Sequence, residues 1–199
     1  MAFNFQIPIQ NFEIIRDRIA LIIATELENQ YDLFGGFNPS VWIERFIPFD
    51  ISELPAVNIV LESLNLISKN PGKCTYEAKF NVQVSISSGD LYDQSGDVLS
   101  SIDCQKLSGQ IRYILENPNN LRLQFHANPS IVQGNEISEI LISKPDEKDG
   151  NYSTISQLAL KIRMEENNGV VVPLTGESYV TSMRIETTNK GLKLVINNT

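Results

Sequence analysis

From Cys74 to Ile86 the sequence alternates without a break. Cys74, Tyr76, Ala78, Phe80, Val82, Val84 and Ile86 are apolar or small, while Thr75, Glu77, Lys79, Asn81, Gln83 and Ser85 between them are polar. Successive side chains of a strand point to opposite faces, so a period of two dictates a strand with one dry face and one wet face. At ~3.3 Å per residue the run is about 43 Å long, against a usual strand of ~5–6 residues. A strand of that length is expected to reach beyond its own sheet. Its polar face is either open to solvent, as one face of an antiparallel sheet commonly is, or the lining of a channel or a subunit contact.

Two other stretches carry the helical period. In "NFEIIRDRIALIIATELENQY" Asn11 is suited to the N-cap, and Phe12, Ile15, Ile19, Ile22, Ile23 and Leu27 form one stripe. Ile14 and Leu21 fall on the opposite face beside Asp17, Arg18, Thr25 and Glu28, which is ordinary surface or the seat of another subunit. "LFGGFNPS" then punctuates the chain with glycine and proline. A second helix has Cys104, Leu107, Ile111, Ile114 and Leu115 as its stripe, with Ser108 and Gly109 small enough for close approach to a neighbour. Val98, Leu99 and Ile102 lie off that stripe, so irregular first turns are expected. Asn117 before Pro118 marks its stop.

Between them, "SVWIERFIPF" reads as extended and holds the single tryptophan. "SELPAVNIVLES" follows, with valine, isoleucine and leucine at both parities from Ala56 to Leu61, a strand covered on both faces. Proline cannot donate to a ladder, so Pro55 suits the first position of that strand and forces Leu54 to be extended. The last third is β-rich: "LRLQF", "EISEILIS", "ISQLALKIRM", "SYVTSMRIETT" and "GLKLVINN" alternate or run apolar, with Leu158, Leu160, Ile162 and Met164 sharing a face. "TTNKG" is a hairpin turn, and "KPDEKDGNY" and "EENNGVV" are loops.

Chemistry is sparse. His126 is the only histidine, and "LQFHANP" surrounds it with no nucleophile motif. Asp90, Asp93, Asp97 and Asp103 miss the spacing of a calcium loop, and Asp97 is better explained by a helix N-terminus. Gly35-Gly36 lacks the context of a phosphate cradle. Cys74 and Cys104 each sit on an apolar stripe and read as buried free thiols. No catalytic, cofactor-binding or metal-ligating residue is assigned, no cofactor is expected, and the chain is not expected to be an enzyme. A chain of 199 residues with 42% hydrophobic content forms one domain, and its net charge of −8, with scattered Lys and Arg, argues against sequence-specific DNA binding. No apolar run is long enough to cross a bilayer and no signal peptide opens the chain, so a soluble protein that does not meet a membrane is expected.

The order of elements, with the N-terminal amphipathic helix (Phe12 to Gln30), "ELPAVNIVLES", "YEAKFNVQVSIS" and "LSGQIRYILEN", resembles the tail terminator, or tail-completion, proteins of long-tailed bacteriophages. The resemblance covers roughly residues 8 to 165. It implies an α+β fold: a mixed, largely antiparallel sheet with two helices packed on one face, here extended by an insertion near 144–156 and a C-terminal β-hairpin at 177–198 within one domain spanning 1–199. It also implies a virion structural protein, made in the host cytoplasm, that forms a homohexameric ring on the head-proximal end of the tail tube. Such a ring ends tube polymerisation and joins the tail to the neck. The partners implied are a second copy, the tube protein, a neck or head-completion protein and, as a further candidate, the sheath, with DNA passing through the lumen without specific binding. A ring needs two different patches on each subunit. One is expected on the outer face of the first helix (Ile14, Asp17, Arg18, Leu21), the other on the polar face of the long strand (Glu77, Lys79, Asn81, Gln83) or its tip loops. The alternatives are another ring-forming neck or tail protein, a head–tail adaptor or a tube protein.

Overall fold

The computed structural model describes residues 9–89, 95–125, 131–148, 150–166, 183–188 and 191–196. In chain order these form α1 (Asn11–Phe34), β1 (Ser40–Ile43), β2 (Ala56–Asn70), β3 (Lys73–Gly89), α2 (Gly96–Glu116), β4 (Val132–Ile142), β5 (Asp146–Lys148), β6 (Asn151–Glu166), β7 (Met183–Thr188) and β8 (Gly191–Ile196). The strands make one 8-stranded sheet in the order β4-β6-β3-β2-β1-β8-β7, with β5 also paired to β6. Among the described residues β1 and β2 run parallel and the other pairs antiparallel. The fold is α+β, with both helices on one face of a mixed, largely antiparallel sheet.

The alternating run is the centre of the sheet. β3 is 17 residues long, and its even positions from Ala78 to Ile86 are buried under the helices. It does not reach beyond its sheet, contrary to the expectation from its length. β2, of 15 residues, pairs with it from Lys73 to Ser85, and β6, of 16 residues, from Cys74 to Gly89, so its whole length lies within the sheet. Leu158, Leu160, Ile162 and Met164 of β6 are buried beside it, as their spacing requires.

The helices supply the cover. Ile15, Ile19, Ile22, Ile23 and Leu27 of α1 pack over β1 and β2, and Cys104, Leu107, Ile111 and Leu115 of α2 pack over β3 and β6. Burying a side chain of this size contributes about 1.5–3 kcal/mol. The cap of α1 is Gln10, one residue earlier than the sequence suggested, and its N–H donates to Glu13 Oε2 at 2.9 Å. Asn11 is already helical, and its side chain donates instead to the Glu165 carbonyl at 2.5 Å. α2 is helical from Gly96, without the irregular first turns expected there: Val98 and Ile102 simply face solvent.

Three other expectations change. β1 stops at Ile43, because Glu44 takes a left-handed backbone (φ 51°). "LRLQF" is not a strand: 118–124 forms a short 3-10 stretch with Arg122, Leu123 and Gln124 at positive φ, burying Leu123 and Phe125. The "KPDEKDGNY" loop contains β5, which turns at Gly150 (φ 74°) and pairs with the first residues of β6. Within the expected hairpin of 177–198, β7 and β8 pair antiparallel and β8 joins β1 through Trp42↔Lys193 and Ile43↔Leu192; the rest of that range lies outside the described residues. Within "SYVTSMRIETT", residues 178–182 lie outside the described residues, as do Asn189 and Lys190 of the predicted turn and 167–171 of "EENNGVV".

Candidate functional site

Among the described residues no helix covers the second face of the sheet, and cross-strand register lays out what that face presents. Glu77 stands opposite Arg163, Lys79 opposite Lys161, Asn81 opposite Ala159 and Gln83 opposite Gln157. On the far side of β6, Glu136 faces Lys161 and Glu139 faces Ala159. The four β3 residues expected as a patch are therefore brought together on one open surface. Each is half-buried by its neighbours, and Lys79 is paired with Glu62 at 2.9 Å. Asn81 Oδ1 is enclosed without a hydrogen-bond partner among the described residues. Three bases meet here, Lys79 opposite Lys161 with Arg163 two residues along β6, and the acids Glu62, Glu77, Glu136 and Glu139 border them, so the face mixes charges of both signs.

At one end this face is closed by the segment from Glu44 to Leu54. The Arg45 guanidinium, fully buried, lies 4.4 Å from the centre of the Trp42 ring and 4.1 Å from that of Phe49. It donates to both carboxylate oxygens of Glu53 (3.2 and 2.7 Å) and to the carbonyls of Ile47 and Pro48. Asn58 is locked beneath, accepting from Arg45 N–H and donating to its carbonyl. This explains how Ala56–Ile59 can be buried on both faces: helices on one side, the Arg45 cluster on the other. The Leu54–Pro55 bond is cis, Leu54 is extended, and the Pro55 carbonyl accepts the Ser40 N–H that opens the parallel ladder. The cluster was missed in the sequence, where the only signal is an arginine set among Trp42, Phe46 and Phe49.

The α1 patch is not assembled as expected. Ile14 packs against the core, and Arg18 donates to the Leu123 carbonyl at 3.1 Å and to Gln124 Oε1 at 3.0 Å, holding the left-handed turn in place. Asp17 is clamped by Arg16 at 2.8 and 2.9 Å; its pKa is raised by burial, which outweighs the lowering by Arg16. Leu21 is half-buried. Ile14 and Arg18 face inward because the 118–125 turn lies across this side of the helix.

A groove of about 640 Å³ runs between the C-terminal halves of α1 and α2, lined by Glu26, Gln30, Phe37, Lys106 and Tyr113 among others. Gly109 borders it with open space beside its Cα, so it does not serve the close packing expected of it; Ser108 does, buried with its hydroxyl donating to the Cys104 carbonyl at 2.6 Å. Both cysteines are buried and free, and burial pushes the Cys104 thiol up to about 11. Asp97 sits in the first turn of α2, its pKa lowered by the Ser95 hydroxyl and then by the Val98 N–H. Asp90, Asp93 and His126 lie outside the described residues. Among the described residues no three His, Cys, Asp or Glu side chains are grouped to hold a metal ion, and no helix is long and apolar enough to cross a membrane. Compared with protein-family models and with curated proteins, the chain matches none.

Proposed function

We propose that this chain is a virion structural protein that assembles as a ring, of six subunits by its resemblance to tail terminators, at the head-proximal end of a phage tail tube. The ring ends tube growth and joins the tail to the neck, and DNA passes through it. One observation carries this reading: a broad sheet face, open among the described residues beyond the Arg45 cluster, in which amides stand among charges of both signs. Such a surface hydrates well and repels or releases a sliding polyanion more readily than it grips one. The net charge of −8 acts in the same direction. The rest of the fold supports the reading by contrast, since its buried polar groups are spent on structure: Arg45 on its own loop, Arg18 on the 118–125 turn, and Glu166 on the first N–H of α1.

The test is negative-stain microscopy of particles from a phage in which this gene is deleted. Filled heads beside unjoined tails of abnormal length are the expected outcome. Normal joined particles would refute the reading, and tails missing altogether would move the assignment to tube or baseplate. Filaments from the purified chain alone would favour a tube protein.

A further inference from the structure

We infer that a second copy of this chain joins the sheet directly: the stretch of β2 from Glu62 to Asn70 in one subunit pairs with β4 of the next. The inference rests on the ring reading above and names its subunit contact.

β1 covers β2 only from Ala56 to Ile59. There the ladder is terminated by Glu44, whose N–H donates to the Ile59 carbonyl and whose Oε1 accepts the Leu61 N–H at 2.9 Å. Beyond Leu61 that edge of β2 meets no strand among the described residues. Between Glu62 and Lys69 it carries three large apolar side chains open to solvent: Leu64, Leu66 and Ile67 are 36%, 53% and 47% exposed, where an edge left to solvent is usually guarded by charge. Leu64 and Leu66 stand opposite Ala78 and Tyr76, which puts them on the helix-bearing face.

The other side of the sheet ends in β4, 11 residues long, whose outer edge also meets no strand among the described residues. Ile140 and Ile142 stand opposite Leu158 and Ser156, on the same helix-bearing face, and Ile142 is 42% exposed. The two edges therefore offer apolar side chains on matching faces.

Strand sense completes the match. β2, β3, β6 and β4 are successively antiparallel, so β4 runs opposite to β2. A neighbour set alongside without being turned over presents β4 antiparallel to β2, and the polar faces of both subunits become one surface. Each of the two strands is bulged twice against its internal partner, near Ser63 and Ser68 in β2 and near Gly134 and Glu139 in β4. Bulges bend and twist a sheet, as a closing ring requires. The contact is head-to-tail, since two different edges meet.

The test uses Leu66→Lys and Ile142→Lys, at half-exposed positions on the two edges, with circular dichroism as the folding control. Should either misfold, Leu64→Glu or Leu141→Glu replaces it on the same edge. Native mass spectrometry is run on the wild-type chain, on each variant and on their equimolar mixture. The expected result is rings for the wild type, monomer for each variant alone, and dimer with nothing larger for the mixture, because each variant retains one intact edge. Rings that persist in either variant would overturn the strand pairing and leave the ring reading standing. Monomeric variants that form no mixed dimer would overturn it equally. A wild-type chain that stays monomeric, alone and with isolated tail tubes, would overturn both.

Discussion

Arg45 carries a full charge with no exposed side-chain surface, a situation tolerated only when every donor is matched. Glu53 and the Ile47 and Pro48 carbonyls take four of its N–H donors, and Trp42 and Phe49, set edge to face, both lie against the guanidinium. Replacing it with Met leaves those acceptors without a donor, so Arg45→Met should cost about 3–5 kcal/mol, the range for breaking a buried pair. Arg45→Lys keeps the charge but loses the planar fork and should not rescue fully. Denaturant midpoints at unchanged slope would measure both. Arg18, only half-buried, is likewise tied into the fold. Charge reversal there severs its bonds to Leu123 and Gln124, so it reports on folding before it reports on assembly.

Glu166 makes a pH argument at the same scale. Burial raises its pKa above the usual 4.5, against the pull of the Asn11 and Phe12 N–H groups. The folded state then holds this proton more tightly than the unfolded state, so stability falls as pH rises from the unfolded pKa through the folded one. Glu166→Gln keeps an oxygen for the Asn11 N–H and removes the charge. It should melt higher than the parent near pH 7, and the gap should close at about pH 3, where both chains are neutral at this position. Thermal melts at the two pH values decide it; equal gaps at both would mean the side chain's shape, not its charge, matters.

Elements with a strict period were legible, and those shaped by neighbours were not. β3 and β6 declared themselves by alternation, and α1 and α2 by stripes that the core later filled. β2 beyond Ser63 lacks alternation and is a strand only because β3 lies beside it and supplies the ladder. Leu121, Leu123 and Phe125 mimic a strand's period, yet left-handed backbone at Arg122 to Gln124 buries two of them without any ladder. The polar face of β3 was readable from its own residues, but its partners Arg163, Lys161 and Gln157 come from β6 through pairing that no local pattern encodes. At the start of α2, Gly96 matters for space and not for turn geometry: a Cβ there would lie 2.7 Å from Tyr152 Cδ2 and 2.9 Å from the backbone at Ser88 and Gly89. Backbone cannot yield as a side-chain tip can. Gly96→Ala should therefore destabilise by roughly 1–3 kcal/mol, in the range of overpacking, although alanine is the better helix former. A midpoint equal to the parent's would mean that the β3 end shifts freely away from α2.

At the scale of the whole molecule, the proposed passage of DNA turns on how weakly the open face holds phosphate. Each phosphate neutralised by a lysine releases a counterion, so added cations strengthen a nonspecific grip in a strongly salt-dependent way. Gln83 and Gln157 stand in register on neighbouring strands of that face, and neither side chain makes a hydrogen bond on which the fold depends among the described residues. Gln83→Lys with Gln157→Lys should leave the monomer's stability within about 0.5–1 kcal/mol, as surface changes do. In a sixfold ring the pair repeats around the lumen, so particles carrying it should assemble with normal tails yet release DNA more slowly. The delay should shrink as salt rises from about 0.05 to 0.2 M, because a lysine–phosphate contact loses affinity over that range. The matched control, Gln83→Asn with Gln157→Asn, keeps the amides and should release like the parent. Release timed by dye uptake at both salt concentrations separates the outcomes: a slow, salt-sensitive release puts this face on the DNA path, and parental release at low salt removes it from the path.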